Sequence, residues 1–203
     1  MSGNEVSHGR LPWFRPDDLN DEQRRLYDEI VVGPRKSDAS TSGLVDDEGH
    51  LHGPFNAMLV DPPFGMAVQR LGLTVRYHSQ LAPRVREIAT LSAASATKSN
   101  FEWHAHSRLG RAAGLTSDEI ESIAAGSIAD SFNDVERLVL RATQSLLEER
   151  DLNDALFAEV HETLGDAVLF ELIVLVGLYE LLARSLRVWR TPLPDDSEPR
   201  FTD

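Results

Sequence analysis

Hydrophobic residues recur at helical spacing through most of the chain from Pro63 onward. One stripe lies on a single helix face and consists of Phe64, Ala67, Val68, Leu71 and Val75. No segment shows the sustained alternation of apolar and polar residues that is typical of half-buried strands. The pattern therefore predicts an all-α fold, in which helices pack on helices.

Capping residues and glycines place the ends of the predicted helices. Three residue pairs have the spacing of a capping box: Asn20 with Gln23, Thr116 with Glu119, and Asn133 with Glu136. Pro83 fits the first turn of a further helix, and Gly114 fits the end of one. Gly165 separates a short helix that begins after Asn153 from a long final helix that runs to about Trp189.

Polar, proline-rich ends flank the helical part of the sequence. We predict a single helical domain over residues 19–190, preceded by an extended N-terminal arm at residues 1–18 and followed by a loose tail at residues 191–203. Residues 63–125 and 133–190 each hold long amphipathic helices with an inward-looking glutamate, Glu87 and Glu171, and this faint echo suggests an internal two-fold helical repeat.

One long polar segment interrupts the pattern early in the chain. Residues 33–56 are rich in glycine, and loops longer than about a dozen residues are usually functional or disordered. We expect partial order near its end, where His50 and His52 precede the sequence GPFN. The two imidazoles are expected to be solvated in the loop, and the sequence leaves open whether they reach a pocket.

Composition limits the classes of function. The chain has 203 residues, of which 41% are hydrophobic, and a formal net charge of -13. Such an acidic chain repels phosphate backbones and anionic lipids, so we predict that it binds neither nucleic acid nor membranes. The sequence contains no cysteine, which excludes disulfides, thiolate metal ligands and thiol redox chemistry.

Neither a signal peptide nor a membrane span is expected. The N-terminal sequence MSGNEVSHGRLPWFRP has no long apolar run. The most apolar segment, residues 167–183, is interrupted by Glu171 and Glu180 and falls short of the ~20 apolar residues that a span requires. We therefore predict a cytoplasmic protein and a buried final helix.

The sequence NFEWHAHSRLG, residues 100–110, carries the most suggestive chemistry. Glu102 and His106 are four residues apart and share a helix face, whereas His104 points to roughly the opposite side. A carboxylate that holds an imidazole makes a positioned general base, and the same pair could ligate a metal. An ordinary surface ion pair has the same spacing, but the neighbouring Trp103 favours burial.

Further candidates lie on the preceding helices. Glu87 occurs among Val85, Ile88 and Leu91, and a glutamate inside the protein must be paired or protonated. The arginines of this region, Arg76, Arg84 and Arg86, fit surface positions or ion pairs. One that faces a pocket could bind a substrate carboxylate through two hydrogen bonds.

Three stretches together resemble the carboxymuconolactone decarboxylase family, within the alkylhydroperoxidase D-like fold. They are GPFNAML, LAPRVREIATLSAA and FEWHAHSRLGRAAGLTSDEIESIAAG. The resemblance covers residues 53–126 well and the C-terminal half loosely. It implies an all-helical domain that forms a homo-oligomer, commonly a trimer or hexamer, with the site near subunit contacts.

The resemblance also implies a set of site residues. In the peroxidase members, a glutamate, a Cys-x-x-Cys pair and a histidine form a thiol proton relay. Glu87 corresponds to that glutamate, Ser99 and Glu102 to the two cysteines, and His106 to the histidine. Because this chain has no cysteine, the peroxidase cycle is chemically impossible here.

The lactone decarboxylase branch also lacks the cysteine pair and is similar in using acid–base residues. The resemblance then implies a catalytic cluster of Glu87, Glu102 and His106. His106 would carry the proton, Glu102 would orient it or act as an acid, and Glu87 would be a second acid or base. Ser99 and Arg76 would contact the substrate.

Trp103 or Phe55 would form a wall of the pocket.

Three functions are compatible with the sequence. The first is an acid–base lyase or isomerase that acts without cofactor on a small lactone or oxo-acid. The second is an oligomeric binding protein without catalytic activity, and the third is a metal-dependent enzyme that uses Glu102, His106 and the loop histidines.

Overall fold

Helices form nearly all of the regular structure. The computed structural model describes residues 7–34, 44–194 and 197–202, and its fold is all-α as predicted. The helices of this part are α1 (Asp21–Val32), α2 (Pro54–Met58), α3 (Pro62–Tyr77), α4 (Pro83–Ala96), α5 (Asn100–Ala112), α6 (Ser117–Ala124), α7 (Asp134–Glu148) and α8 (Asp154–Trp189). Two short antiparallel strands, β1 (Ser7–His8) and β2 (Leu11–Pro12), precede them, with His8 opposite Leu11.

The predicted helix ends are confirmed where local capping sets them. Asn20, Thr116 and Asn133 each form a complete capping box, at the starts of α1, α6 and α7. Asn153 Oδ1 accepts a hydrogen bond from the Leu156 amide at 3.0 Å. Gly165 has φ 79° and ψ 165°, a left-handed conformation that favours glycine and interrupts α8 as predicted.

The chain divides into two units, which leaves the predicted single domain at residues 19–190 as a prediction. Unit 1 lies within Met1–Leu73 and Arg184–Pro199, and unit 2 lies within Thr74–Ala183 and Arg200–Asp203. In the part of the chain that the structure describes, no helix is long and apolar enough to cross a membrane.

Unit 1 has a small core and an ordered N-terminal hairpin. Its fully buried residues include Leu26, Ile30, Leu51 and Leu59. The Arg10 amide donates a hydrogen bond to the Trp189 carbonyl at 2.7 Å. The predicted surface arm is therefore corrected for its described residues, because the hairpin packs and pairs with the chain.

Unit 2 is organised around α4, which contacts α5, α6 and α7. Its core contains the buried residues Ile88, Leu91, Ala94, Trp103, Leu115, Ile120, Ile123, Phe132 and Leu140. The C-terminal tail is not loose at Phe201, since its amide and carbonyl bond the Asn100 side chain at 2.7 and 2.9 Å. Its ring also meets Trp103, with centroids 5.4 Å apart.

An arginine joins two capping boxes in unit 2. Arg84 of α4 donates hydrogen bonds of 2.7 Å to both Glu119 and Glu136, the acidic members of the boxes of α6 and α7. A third donor contacts the Gly114 carbonyl. Burial opposes ionisation of Glu119, but Arg84, the Thr116 amide and the Ser131 hydroxyl outweigh it and lower the pKa of Glu119 to about 2.

Glu171 has a structural role instead of the predicted inward position. It is half-buried, and its carboxylate accepts hydrogen bonds from the Ser79 hydroxyl at 2.7 Å and the Gln80 amide at 2.8 Å. These bonds fix the turn before α4, so Glu171 does not correspond to Glu87 in function.

Candidate active site

A buried carboxylate and a buried imidazole meet between α4 and α5. Residues 87–94 of α4 are all buried, because this helix is covered by its neighbours in unit 2. A glutamate at such a position requires a polar partner. His106 of α5 provides it, with Nδ1 2.7 Å from Glu87 Oε2. The pair is well enclosed, since the two residues are 3% and 8% exposed.

The second imidazole nitrogen also has a partner. The Tyr179 hydroxyl of α8 lies 3.1 Å from His106 Nε2, and the two rings meet edge to face at 5.0 Å. Glu87, His106 and Tyr179 therefore form a continuous hydrogen-bonded chain. The carboxylate fixes the orientation of the ring, which is the arrangement of a positioned acid–base group.

The surroundings of Tyr179 hold its proton firmly. Burial raises the pKa of the Tyr179 hydroxyl above its ordinary value, and the charges of Glu87 and Glu102 raise it further. The Thr90 hydroxyl and the Arg76 guanidinium act in the opposite direction. Thr90 is fully buried, and its hydroxyl meets no hydrogen-bond partner of normal geometry in the described chain.

Glu102 is a buried carboxyl group that forms no hydrogen bond of normal geometry with the described residues. It is 3% exposed, and both of its oxygens lack such a bond. Burial raises the pKa of Glu102 to about 8, and the adjacent Ser99 hydroxyl only partly opposes this. The group is therefore mainly protonated at neutral pH, and its O–H meets no acceptor of normal geometry among the described residues. Such a group can donate a proton or a hydrogen bond to a bound molecule.

The predicted pairing of Glu102 with His106 is wrong. The two residues share a helix, but Glu87 occupies the Nδ1 side of the imidazole and Tyr179 the Nε2 side. Glu102 therefore does not orient the imidazole, and of its two predicted roles only that of an acid remains.

The other predicted site residues fall in different places. Ser99 is buried at the start of α5, next to Glu102. Trp103 belongs to the core of unit 2, and Phe55 packs against the core of unit 1. Arg76 is half-buried, stacks on the Tyr77 ring at 5.6 Å and is close enough to Tyr179 to affect its pKa.

Tyr179 and Thr90 are site residues that were not predicted from the sequence. A signal for Tyr179 exists, because it lies in the apolar segment of residues 167–183 and a buried tyrosine hydroxyl usually has a hydrogen-bond partner. No comparable signal marks Thr90, since threonine is common on helix faces that pack on a core.

The loop histidines form a separate cluster in unit 1, which corrects the prediction that they are solvated loop side chains. His50 is 3% exposed, and its Nδ1 lies 2.7 Å from Asp46 Oδ2. Its ring stacks on Trp13 at 4.6 Å, and Trp13 also contacts His8 and His52. Burial lowers the pKa of His8 to about 4, with smaller contributions from His52 and His50.

The described side chains contain no group of three or more histidine, aspartate or glutamate residues arranged to hold a metal ion. His106 in particular already uses both nitrogens, on Glu87 and Tyr179. A metal at this imidazole would have to displace one of these partners.

The segment that carries Glu87, Glu102 and His106 matches a known protein family. The sequence model of the carboxymuconolactone decarboxylase family matches residues 62–145. This segment includes Glu87, Ser99, Glu102 and His106, so the predicted resemblance is confirmed there. No curated protein sequence matches the chain.

Solved structures share the fold at low sequence identity. A peroxidase-related protein from Ralstonia eutropha JMP134, described as an alkylhydroperoxidase AhpD core, has a TM-score of 0.74 at 15% identity and covers 94% of each chain. A putative antioxidant defence protein AhpD from Agrobacterium tumefaciens has a TM-score of 0.62 at 18% identity, covering 71% of this chain and 99% of that chain. A variant of the debrominase Bmp8 in complex with 2,3,4-tribromopyrrole has a TM-score of 0.69 at 12% identity, covering 96% and 95%.

Proposed function

We propose that the chain is a cofactor-independent acid–base enzyme of the carboxymuconolactone decarboxylase family, whose sequence model matches residues 62–145. The reaction is a decarboxylation or related lyase reaction, or an isomerisation, of a small lactone or oxo-acid. Glu87, Glu102 and His106 carry it. Thiol peroxidase chemistry is excluded, because the chain has no cysteine.

The observation that carries this proposal is the buried hydrogen bond of 2.7 Å between Glu87 and His106, beside the unpartnered carboxyl group of Glu102. A carboxylate–imidazole pair whose second nitrogen meets a hydroxyl, as His106 meets Tyr179, can shuttle protons, and a carboxyl group that stays protonated can donate them. Maintaining an unpaired buried carboxyl group costs stability, which a purely structural site would have no reason to bear.

The two groups match the needs of a decarboxylation next to a carbonyl group. When the carbon–carboxylate bond breaks, carbon dioxide leaves and the electron pair moves onto the carbonyl oxygen as an enolate. A donor must stabilise that oxygen, which is the role of the Glu102 carboxyl group. The pair of Glu87 and His106 supplies the proton that the product requires and regains it from solvent.

The fold supports catalysis on small molecules without naming the reaction. The neighbouring structure of the debrominase Bmp8 with a bromopyrrole is an enzyme of this fold with a small ring compound bound. Its identity to this chain is 12%, so it supports only the class of molecule and not the chemistry.

A test of the function uses a panel of small lactones and oxo-acids in deuterated water. NMR follows loss of the carboxylate, ring opening and incorporation of deuterium next to the carbonyl group. We expect turnover by the wild type and by His104→Ala, a matched variant on the same helix, and strong loss in His106→Ala. Equal rates in wild type and His106→Ala would refute the function, and turnover of no compound would favour the reading as a binding protein.

We also propose that the chain forms a homo-oligomer, a trimer or a hexamer. Large apolar side chains on α8 are exposed in the single chain, among them Phe170 (66%), Ile173 (44%) and Leu181 (46%). Exposed apolar surface of this kind is typical of subunit contacts. Light scattering at micromolar concentration should give a trimeric or hexameric mass, and a monomeric mass would contradict the proposal.

A further inference from the structure

The imidazole of His106 cannot itself reach a substrate in the observed arrangement. Nδ1 faces Glu87 at 2.7 Å and Nε2 faces the Tyr179 hydroxyl at 3.1 Å, so neither ring nitrogen has a position left for another partner. The hydrogen bonds of normal geometry therefore end at the Tyr179 oxygen, near the buried Thr90 hydroxyl, which forms none with the described residues. A hydroxyl oxygen makes up to three hydrogen bonds, so this oxygen retains capacity that the imidazole lacks.

We propose that the Tyr179 hydroxyl is the group of the chain that contacts the substrate, and that it binds, together with the Glu102 carboxyl group, a single carbonyl oxygen that becomes an enolate oxygen. This inference rests on the proposed acid–base function and assigns the substrate-facing group within it. The substrate class is accordingly a carbonyl compound with a leaving group or an acidic hydrogen next to the carbonyl carbon.

Two O–H donors near one another fit such an oxygen. Glu102 lies one helical turn before His106 on the same face of α5, and His106 Nε2 is 3.1 Å from the Tyr179 hydroxyl. Both Glu102 oxygens are buried and lack partners among the described residues, so its O–H is available for a ligand. Pairs of a tyrosine and a neutral carboxylic acid are known to stabilise enolate oxygens in other enzymes.

The protonation state of His106 switches the direction of the Tyr179 hydroxyl. When the imidazole is neutral and Nδ1–H donates to Glu87, Nε2 accepts the hydrogen bond of the tyrosine. When the imidazole is protonated, Nε2–H donates to the tyrosine oxygen instead, and the hydroxyl hydrogen turns to the substrate. The form in which Nε2 carries a hydrogen is thus the form in which the hydroxyl is free to bind the carbonyl oxygen.

The proton balance of a decarboxylation closes on these groups. The carbon–carboxylate bond breaks, carbon dioxide leaves, and its bonding electron pair ends on the carbonyl oxygen. The Tyr179 hydroxyl passes its proton to this oxygen as His106 Nε2–H passes its own proton to the tyrosine oxygen, so no tyrosinate forms. The product leaves as an enol that becomes a ketone in water, and the neutral imidazole takes one proton from solvent before the next cycle.

Binding of 4-nitrophenol tests the assignment without a known substrate, because its phenolate oxygen imitates an enolate oxygen and its ionised form absorbs visible light. At pH near 7 we expect Tyr179→Phe and Glu102→Gln each to weaken binding about tenfold or more, the usual effect of one lost hydrogen bond to a charged oxygen. Tyr77→Phe, which alters an exposed tyrosine, is the matched control and should bind as the wild type does.

A second measurement uses the wild-type protein alone. The chain has three tyrosines, so labelling with carbon-13 at the ring carbon that bears the hydroxyl gives three NMR signals. Addition of 4-nitrophenol should shift the Tyr179 signal and leave those of Tyr77 and Tyr27 in place, since the Tyr27 hydroxyl already donates to the Gly49 carbonyl at 2.8 Å.

Several results would overturn the inference. These are absence of 4-nitrophenol binding to wild type, an unmoved Tyr179 signal, or equal binding by Tyr179→Phe. If His106→Gln weakened binding and Tyr179→Phe did not, the imidazole would contact the oxygen directly, and the proposed function would stand without this assignment. Failure of the function itself is recognised separately, by turnover that does not depend on His106.

Discussion

Unit 1 and unit 2 each contain a buried histidine paired with a carboxylate, and the two pairs have the same length. His50 Nδ1 lies 2.7 Å from Asp46, and His106 Nδ1 lies 2.7 Å from Glu87. The difference is at the other nitrogen. His50 Nε2 has no hydrogen-bond partner within the described chain, whereas His106 Nε2 meets the Tyr179 hydroxyl.

The surroundings of the two pairs also differ, and again only those of His106 are suited to proton transfer. His50 lies against Trp13, which also stacks on His8, and burial keeps His8 neutral over most of the pH range by lowering its pKa to about 4. His106 lies in a chain that can pass a proton from end to end, near the protonated Glu102. A short carboxylate–imidazole bond is therefore not in itself a sign of catalysis, and the partner of the second nitrogen is what distinguishes the two pairs.

Substitution of His106 and of His50 by alanine, one at a time, should give the largest difference between the two pairs. We expect His106→Ala to lower kcat by ~10²–10⁴, the range for a lost general acid or base, with little change in the oligomer. His50→Ala should leave kcat unchanged and lower the melting temperature. Steady-state kinetics and thermal unfolding of both variants test this, and a large rate loss in His50→Ala would erase the distinction.

Glu102→Gln should lower the activity and raise the stability of the protein. A raised pKa means that folding disfavours the ionised form, so the cost to stability is absent below the ordinary pKa of 4.5 and complete above about 8. Removing the ionisable group should stabilise the protein by roughly 3 kcal/mol at pH 7 and lower kcat. Denaturant unfolding of wild type and variant measures the difference in the free energy of unfolding from about pH 4 to about pH 9, a range that includes both pKa values. A constant difference across that range would contradict the burial of an unpaired acid.

Acid should loosen the histidine cluster of unit 1. The lowered pKa of His8 contributes stability that is present above its ordinary value of 6.5 and is lost as the pH falls toward about 4. His8→Phe keeps a ring on Trp13 and removes the titration, so it should gain about 3 kcal/mol over wild type at the acid end of this window. Unfolding curves of the two proteins that run parallel from pH 6.5 to 4 would show that His8 does not titrate there.

Removal of the carboxylate of unit 1 should have a moderate effect on stability alone. Asp46→Ala removes two contacts of His50. The His50 amide donates a hydrogen bond to Asp46 Oδ1 at 2.8 Å, and His50 Nδ1 lies 2.7 Å from Asp46 Oδ2. We expect a loss of about 2 kcal/mol in the free energy of unfolding and an unchanged kcat. Glu87→Gln, its counterpart in unit 2, should lower kcat, and similar kinetics in both variants would argue against the comparison.

The smallest effect is expected at His104. This residue is half-buried on α5, and its neighbours on the helix include the core residue Trp103. His104→Ala should change the free energy of unfolding by no more than ~0.5 kcal/mol and leave kcat within about twofold. Thermal unfolding and kinetics run beside His106→Ala check both values, and a tenfold rate loss would place His104 in the site.

Local signals predicted the helix ends and not the contacts between helices. The capping boxes at Asn20, Thr116 and Asn133 involve residues three apart, and the break at Gly165 needs only one residue. Such features are visible in any single stretch of sequence. This is why the fold class and most helix starts could be predicted.

The site depends on contacts that spacing along one helix does not reveal. Glu102 and His106 have the ideal spacing of a pair, yet His106 bonds Glu87 from another helix and Tyr179 from 73 residues further along the chain. The same applies to His50, whose burial depends on Trp13 in the N-terminal hairpin region. Its apolar neighbours marked Glu87 as a candidate, but only the resemblance to a family grouped it with His106, because a family pattern carries the result of packing and periodicity does not.

The double bridge of Arg84 has a consequence for how unit 2 opens. Because one guanidinium holds the acidic residues of two capping boxes, the first turns of α6 and α7 share a single anchor. If one helix start frays and Arg84 moves with it, the nearly buried carboxylate at the other start loses a hydrogen-bond donor. The two starts should therefore open together as one cooperative element. Amide hydrogen exchange in these turns should then proceed at matched rates, and Arg84→Lys should uncouple them, since an ammonium group lacks the forked geometry that binds both carboxylates.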